Sequence, residues 1–325
     1  MRILSYGHSQ GGCWWIRIKT PLGELQKKHA VILTDGMKKV PMDGWQIVVF
    51  NNILGDIEVI ENGQIKKATV TDIIEGFKKT GAKIVYDTDD AQDLYPLEGE
   101  AASEVKENLD SYFYLLKNAD LITVTTPELK KHVEQYTDKT VLVLPNSIDP
   151  DLFPERKKER KIKIGFTGSP SHVPDLELVW DAIQKLKEKY DVYFEILGFQ
   201  YKNCKYKKPV PVEHYYEALA ELGADIGICP LKESGFNTCK SPLKFLEYSS
   251  VGTMVLASKR HPYLNEMKEE WLVEDNEWYE KLEKYILDKG LRERTLKEQQ
   301  EWVRENRDIK KNVKQWEEAY RNLIK

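Results

Sequence analysis

CKSPLKFLEYSSVGTMVLAS, Cys239–Ser258, begins as a helix and finishes as a buried strand. Ser241 fits an N-cap, and Pro242 fits the first helical position, where a missing N–H costs nothing. TMVLAS (253–258) is an apolar run of strand length after a glycine stop. A helix delivered into a strand of this kind is one half of an α/β repeat. The charged residues ask for more than packing. Lys240 stands just outside the positive end of the helix and Lys244 lies in its first turn, where cations are unfavourable unless an anion binds. Glu247 falls at the border of the apolar stripe and needs donors there. Either Lys244 supplies them in a structural pair, or a diphosphate sits over Lys240, Lys244 and the helix N-terminus while Glu247 grips ribose hydroxyls.

The alternation extends outward from this stretch. RILSYG (2–7), AVILTD (30–35), WQIVVFNN (45–52), AKIVYD (82–87), LITVT (121–125) and VLVLPNSID (141–149) read as strands. WWIRIKTPLGELQKK (14–28), interrupted near Pro21, TDIIEGFKKTG (71–81), SEVKENLDSYFYLLKNA (103–119) and a segment from Pro127 read as helices. DPDLFPERKKER (149–160), proline-punctuated and then densely charged, reads as a linker. The pattern restarts with KIKIGFTG (161–168), VYFEILG (192–198) and ADIGICP (224–230) as strands. The helix 173–190 between the first two carries Leu176, Val179, Ile183, Leu186 and Tyr190 on one stripe. From about Leu291 to Lys325 the tail reads as polar helices with a sparse stripe of Trp302, Val313, Trp316, Tyr320 and Leu323. Near-continuous apolar strands separated by helices imply two doubly wound parallel-sheet α/β domains.

At 325 residues the chain is long enough for two such cores, and 41% apolar with 31% charged residues marks it as globular. No apolar run reaches the roughly 20 residues of a membrane span. The N-terminus lacks the apolar core of a signal peptide. Four scattered cysteines, Cys13, Cys204, Cys229 and Cys239, signal neither a zinc ribbon nor a disulfide framework and read as free thiols of a cytoplasmic protein. A net charge of −4 argues against a partner held mainly through phosphates, and the basic runs 156–163 and 202–208 read as solvated loops.

Ligands of open α/β sheets sit outside the carboxyl ends of the strands, so the loops there carry the search. In YGHSQGGCWWIR (6–17), Gly11 and Gly12 let backbone approach an anion, without the spacing of a dinucleotide fingerprint. Arg17, one turn into the helix, reaches a phosphate or carboxylate or makes a surface ion pair. In VYDTDDAQDLYP (85–96), Asp87, Asp89, Asp90 and Asp93 crowd the end of a strand. Metal ligation, turn capping, and acceptance of substrate hydroxyls all remain open for them. In FTGSPSHVPDLE (166–177), Gly168, Ser169 and Ser171 precede a helix whose N–H groups form an anion site. His172 reads as a capping or substrate-orienting residue ahead of a catalytic base.

Taken in order, LITVTTPELKKHV with VLVLPNSIDPDLF (141–153), KIGFTGSPSHVPDLELVWDAI (163–183), SPLKFLEYSSVGTMVLAS (241–258) and GGCWWIRIKTPLGEL (11–25) resemble the ordered motifs of family 4 glycosyltransferases of GT-B architecture. The resemblance covers most of the chain. It implies two Rossmann-like domains facing across a cleft: an acceptor-binding domain over 1–155, a nucleotide-sugar domain over 156–305, and a C-terminal helix over 306–325 crossing back to the first. It places Glu247 on the ribose and Lys240, Ser241 and Lys244 at the diphosphate. Gly168, Ser169, His172, Gly11, Gly12 and Arg17 fall around the donor, and Asp89 and Asp90 at the acceptor. The implied reaction is a retaining transfer from a UDP- or GDP-linked sugar, with no metal or other cofactor, in which Lys240, Lys244 and Asp89 serve the chemistry. Acceptors would be glycans, lipid-linked or other hydroxyl compounds, nucleic acid entering only as a modified acceptor. One departure stands out: the family's second glutamate, eight positions before the ribose-binding one, is here Cys239. Two rivals stand beside this reading, a nucleotide-sugar epimerase-like enzyme and a non-catalytic binding protein of the same fold, and Cys239 favours the second.

Overall fold

The apolar runs of the first half pair side by side in parallel: Ile3 with Val31 and Ile47, Val48 with Ile84, Val85 with Leu121. The computed structural model that shows this describes residues 1–7, 11–34, 42–52, 57–61, 64–96, 105–157 and 160–325; residues 8–10 of the first glycine loop and 103–104 lie outside them. The chain forms two units. Unit 1 combines Met1–Ser147, Thr238–Ser241 and Ile309–Lys325; unit 2 combines Ile148–Asn237 and Pro242–Asp308.

Among the described residues, the strands are β1 (Arg2–Gly7), β2 (Ala30–Thr34), β3 (Ile47–Asn51), β4 (Ile57–Glu61), β5 (Gln64–Ala68), β6 (Lys83–Thr88), β7 (Leu121–Val124) and β8 (Val141–Val143) in unit 1. Unit 2 holds β9 (Lys163–Thr167), β10 (Tyr193–Leu197), β11 (Lys205–Lys207), β12 (Ile226–Cys229), β13 (Met254–Ser258) and β14 (Leu272–Val273). The unit 1 sheet runs β2-β1-β3-β6-β7-β8 and the unit 2 sheet β11-β10-β9-β12-β13-β14, each of six parallel strands; β4 and β5 form a separate antiparallel hairpin that the sequence reading passed over.

Both faces of the first sheet are covered. Leu4, Val48, Phe50, Ile84 and Tyr86 enter one apolar cluster, with helices Val70–Lys79 and Leu109–Asn118. Their alternating neighbours Ile3, Ile47, Val49 and Val85 enter another, together with Ile309, Trp316, Ala319 and Tyr320 of helix Ile309–Leu323. In unit 2 four residues of the expected stripe, Leu176, Val179, Ile183 and Leu186, are fully buried along helix Val173–Lys189, while the fifth, Tyr190, caps its end half-buried.

Three local readings are corrected. The helix containing Pro21 is not interrupted. It widens to a π turn over Trp15–Lys19, where the Thr20 N–H bonds to Trp15 O, and the α-helix Thr20–Leu25 then starts with Pro21, whose missing N–H the wider turn absorbs. The supposed linker is docked: Arg156 N–H donates to Val251 O (2.7 Å), Lys157 N–H to Ala220 O (2.8 Å), and the Arg156 guanidinium holds Gly252 O and Asp225. Unit 2 takes up the chain at Ile148. The third is Ser241. Its hydroxyl accepts from Asn146 (2.8 Å), and the helix Leu243–Ser250 begins after Pro242 without a side-chain cap.

Candidate functional site

Unit 2 presents a site at the carboxyl ends of β9 and β12. From β9 the chain moves outward through β10 to β11, and on the other side through β12, β13 and β14, so the strand order reverses between β9 and β12. Open α/β sheets leave a ligand crevice at such a reversal. Thr167 ends β9 and Glu247 comes from the helix before β13. The Tyr215 hydroxyl lies 3.2 Å from Glu247 Oε2 and 3.4 Å from Thr167 Oγ1. Glu247 is buried, and that burial pushes its carboxyl up to about 8 against the opposing pull of the Tyr215 hydrogen bond and the Lys244 charge. Tyr215 was invisible to sequence reasoning, because nothing local in VEHYYEAL marks one tyrosine of a pair as facing a carboxylate 32 residues away.

Lys244 points toward the first loop of the unit. Its Nζ lies 3.3 Å from His172 Nε2 and 5.0 Å above the Phe166 ring. His172 Nδ1 lies 2.8 Å from Asp175 Oδ2, while Asp175 Oδ1 accepts from Lys232 N–H (2.8 Å) and Asn237 Nδ2 (3.1 Å). Burial pushes the Asp175 carboxyl up, but the His172 and Lys232 hydrogen bonds and the neighbouring cations outweigh it and hold the group below its usual range. Gly168 and the exposed Ser169 lie on the same loop. Behind them Gly198 adopts φ +126°, and a Cβ there would stand 1.9 Å from Gly168 O, so only glycine lets the end of β10 back this loop.

Unit 1 assembles a different set. Of the phosphate, carboxylate and surface ion pair left open for Arg17, the structure shows a carboxylate, in a buried pair. Its Nε and Nη2 bond Asp87 (3.0 and 2.6 Å), its Nη1 bonds Leu144 O (2.6 Å) and Asn146 (3.1 Å), and Trp316 packs beneath it. Asp87 also accepts from Asn51 and Thr123. Asp93 is held by His132 and Tyr136, at 2.9 Å each, in a second structural contact. That leaves Asp89 and Asp90. Asn52, itself held by Gln92, donates to Asp89. Burial and the charge of Asp89 push Asp90 up to about 6, opposed by the positive charge of Lys240. Asp89 also leads in raising the Cys13 thiol well above its ordinary value. Gly11 and Gly12 are exposed at the start of the short helix Gly12–Trp14.

The structure thus divides the lysines that the sequence reading joined. Lys240 belongs to unit 1 with Asp89 and Asp90; Lys244 belongs to unit 2 with His172 and Glu247. Cys239, where the glutamate departure falls, is 4% exposed in the unit 1 core cluster with Ala91, Tyr112 and Leu129, and Thr126 donates to its carbonyl (3.1 Å). Among the described residues, no three His, Cys, Asp or Glu side chains group as metal ligands, and no helix is long and apolar enough to cross a membrane.

No protein-family model and no curated protein matches the chain. Solved structures do. The alpha-glucosyltransferase AGT in complex with UDP is similar over 98% of this chain and 99% of its own, with 12% identity and a TM-score of 0.69. A mutant of S. aureus TarM in complex with fondaparinux, alpha-GlcNAc-glycerol and UDP is similar over 84% of this chain, with 12% identity and a TM-score of 0.58. The pneumococcal O-GlcNAc transferase GtfA in complex with UDP and GlcNAc matches over 86%, with 12% identity and a TM-score of 0.57. The chain spans 55% of the length of TarM and 57% of that of GtfA. At this identity the likeness is one of fold: a two-unit α/β architecture of two six-stranded parallel sheets, shared with GT-B glycosyltransferases.

Proposed function

We propose that the protein is a retaining glycosyltransferase that moves a hexosyl or related unit from a UDP-linked sugar to a hydroxyl acceptor without a bound metal. The observation that carries this reading is Glu247: a buried carboxyl at the strand reversal of unit 2, beside Tyr215, Thr167 and Lys244, in a fold shared with glycosyltransferases solved in complex with UDP. A buried carboxyl with so high a proton affinity is costly to the fold and suited to paired ribose hydroxyls, which both donate and accept. UDP rather than GDP is proposed because UDP is the nucleotide in those relatives.

In this reading Lys244, His172 and the loop of Gly168 and Ser169 face the diphosphate. As the bond from the sugar's anomeric carbon to the phosphate oxygen breaks, the leaving group gains charge that Lys244 stabilises more in the transition state than before it. The acceptor oxygen bonds the anomeric carbon from the same face, and its proton passes to the departing phosphate oxygen. Asp89 and Asp90, with Lys240, orient the acceptor in unit 1. A cytoplasmic setting accords with four unpaired cysteines.

A panel of nucleotide sugars tests the reading, with UDP release followed in the presence of glycan, glycerol-type and DNA acceptors; DNA containing an HMU base, seen with the alpha-glucosyltransferase, is one arm. UDP release that needs an acceptor, an axial product anomer from an axial donor, and activity unchanged by EDTA are expected. Donor turned over to a changed sugar without an acceptor supports the epimerase-like rival. Tight UDP binding with no turnover supports the binding-protein rival.

A further inference from the structure

We infer that Asp175 and His172 form a proton-linked positioning device for Lys244, so that binding of a diphosphate draws a proton onto His172. This rests on the diphosphate reading of unit 2. Asp175 is buried, and its Oδ2 lies 2.8 Å from His172 Nδ1 while its Oδ1 is fixed by Lys232 N–H and Asn237. A carboxylate at Nδ1 assigns the proton of the neutral ring to that nitrogen, leaving the Nε2 lone pair outward. Lys244 Nζ lies 3.3 Å from that lone pair and donates to it. The ammonium is thereby parked on a neutral histidine.

The charge on His172 decides where Lys244 points. Neutral His172 competes with an incoming phosphate for the ammonium. Protonated on Nε2, it turns from acceptor to donor, repels Lys244 toward the anion, and adds a second cation beside it, while Asp175 stabilises the imidazolium from the rear. Three of the described elements bring groups near His172. Asp175 comes from its own helix, and the helix Leu243–Ser250 contributes Lys244 and, one turn on, Glu247. Strand β9 contributes the uncharged Phe166 ring. The nearby Cys229 thiol and Tyr263 phenol are pushed up by burial, to about 12 and well above the ordinary range, so both stay neutral. Sequence spacing gives no hint of the device, because Lys244 lies 72 residues from His172.

The test is UDP binding by calorimetry at pH 6, 7 and 8 for the wild type, His172→Gln and Asp175→Asn, with UMP as a control lacking the second phosphate. The ligand's own phosphate titrates alike in all three proteins and cancels in their ratios, and UMP, which keeps the ribose, controls for Glu247. Between pH 8 and 6 the advantage of wild type over His172→Gln is expected to grow by about tenfold for UDP, as one coupled proton gives per pKa unit, and much less for UMP. Asp175→Asn shifts that growth to lower pH. A merely structural role weakens UDP equally at every pH, and parallel profiles for wild type and His172→Gln overturn the inference while leaving the nucleotide reading intact. Failure of the wild type to bind UDP at any pH overturns both.

Discussion

Replacing Glu247 by glutamine sets stability against function in one position. The amide keeps an oxygen for the Tyr215 hydroxyl and nearly the same volume, but it cannot ionise. In the folded protein burial raises the carboxyl from an ordinary 4.5 to about 8. The unfolded chain therefore releases the proton from about pH 4.5 upward while the folded chain keeps it to about pH 8. The folded state binds more protons throughout that window, so stability falls as pH rises across it and levels off above it. Three and a half decades at about 1.4 kcal/mol each give a ceiling of roughly 5 kcal/mol, of which roughly 3 kcal/mol is already lost at pH 7. Urea denaturation of wild type and Glu247→Gln from pH 5 to 9 reads this directly. Glu247→Gln should gain on the wild type as pH rises, and should lose UDP affinity because the amide cannot reproduce the carboxyl's pairing with the ribose hydroxyls. Parallel stability curves would refute the burial argument, and undiminished UDP binding would refute the ribose role.

Three further outcomes separate the two units. Arg17→Ala leaves Asp87 buried without its ion pair and should cost about 3–5 kcal/mol in denaturation; a stable variant that only loses UDP affinity would restore the phosphate reading. Lys240→Ala should slow transfer while leaving UDP affinity within about twofold, since Lys240 sits with Asp89 and Asp90; loss of UDP binding would return it to the donor. Cys239→Glu, which introduces the glutamate of the motif this stretch resembles, should destabilise the unit 1 core by several kcal/mol (about 2–4) and not raise activity, read by thermal melting and UDP release.

How much was legible beforehand follows from what is local. Strands such as β3 and β9 announce themselves because both faces are buried, leaving an uninterrupted apolar run. The stripe of helix Val173–Lys189 is equally local. Glu247 stood out because a carboxylate on an apolar border needs a reason. The failures share one cause, a partner far along the chain. Arg17 looked available to a phosphate because Asp87 lies 70 residues away. The charged run at 156–160 looked like a linker because backbone bonds to Val251 and Ala220 leave no mark on composition.

Lys240 and Lys244 show the same limit at its sharpest. Four residues apart, they seemed to share a helix end and one diphosphate. Pro242 rather than Ser241 becomes the cap, so the helix starts one residue later, at Leu243, and Lys240 stands outside it as the sequence placed it. The preceding turn is drawn into unit 1 by the buried Cys239, the Thr126 hydroxyl on its carbonyl, and Asn146 on Ser241. A thiol accepts that burial where a glutamate would carry its charge into an apolar cluster. The departure at Cys239 therefore fits an anchoring role: an apolar residue there lets one short segment hold Lys240 beside Asp89 and Asp90, while the helix it precedes presents Lys244 and Glu247 within unit 2.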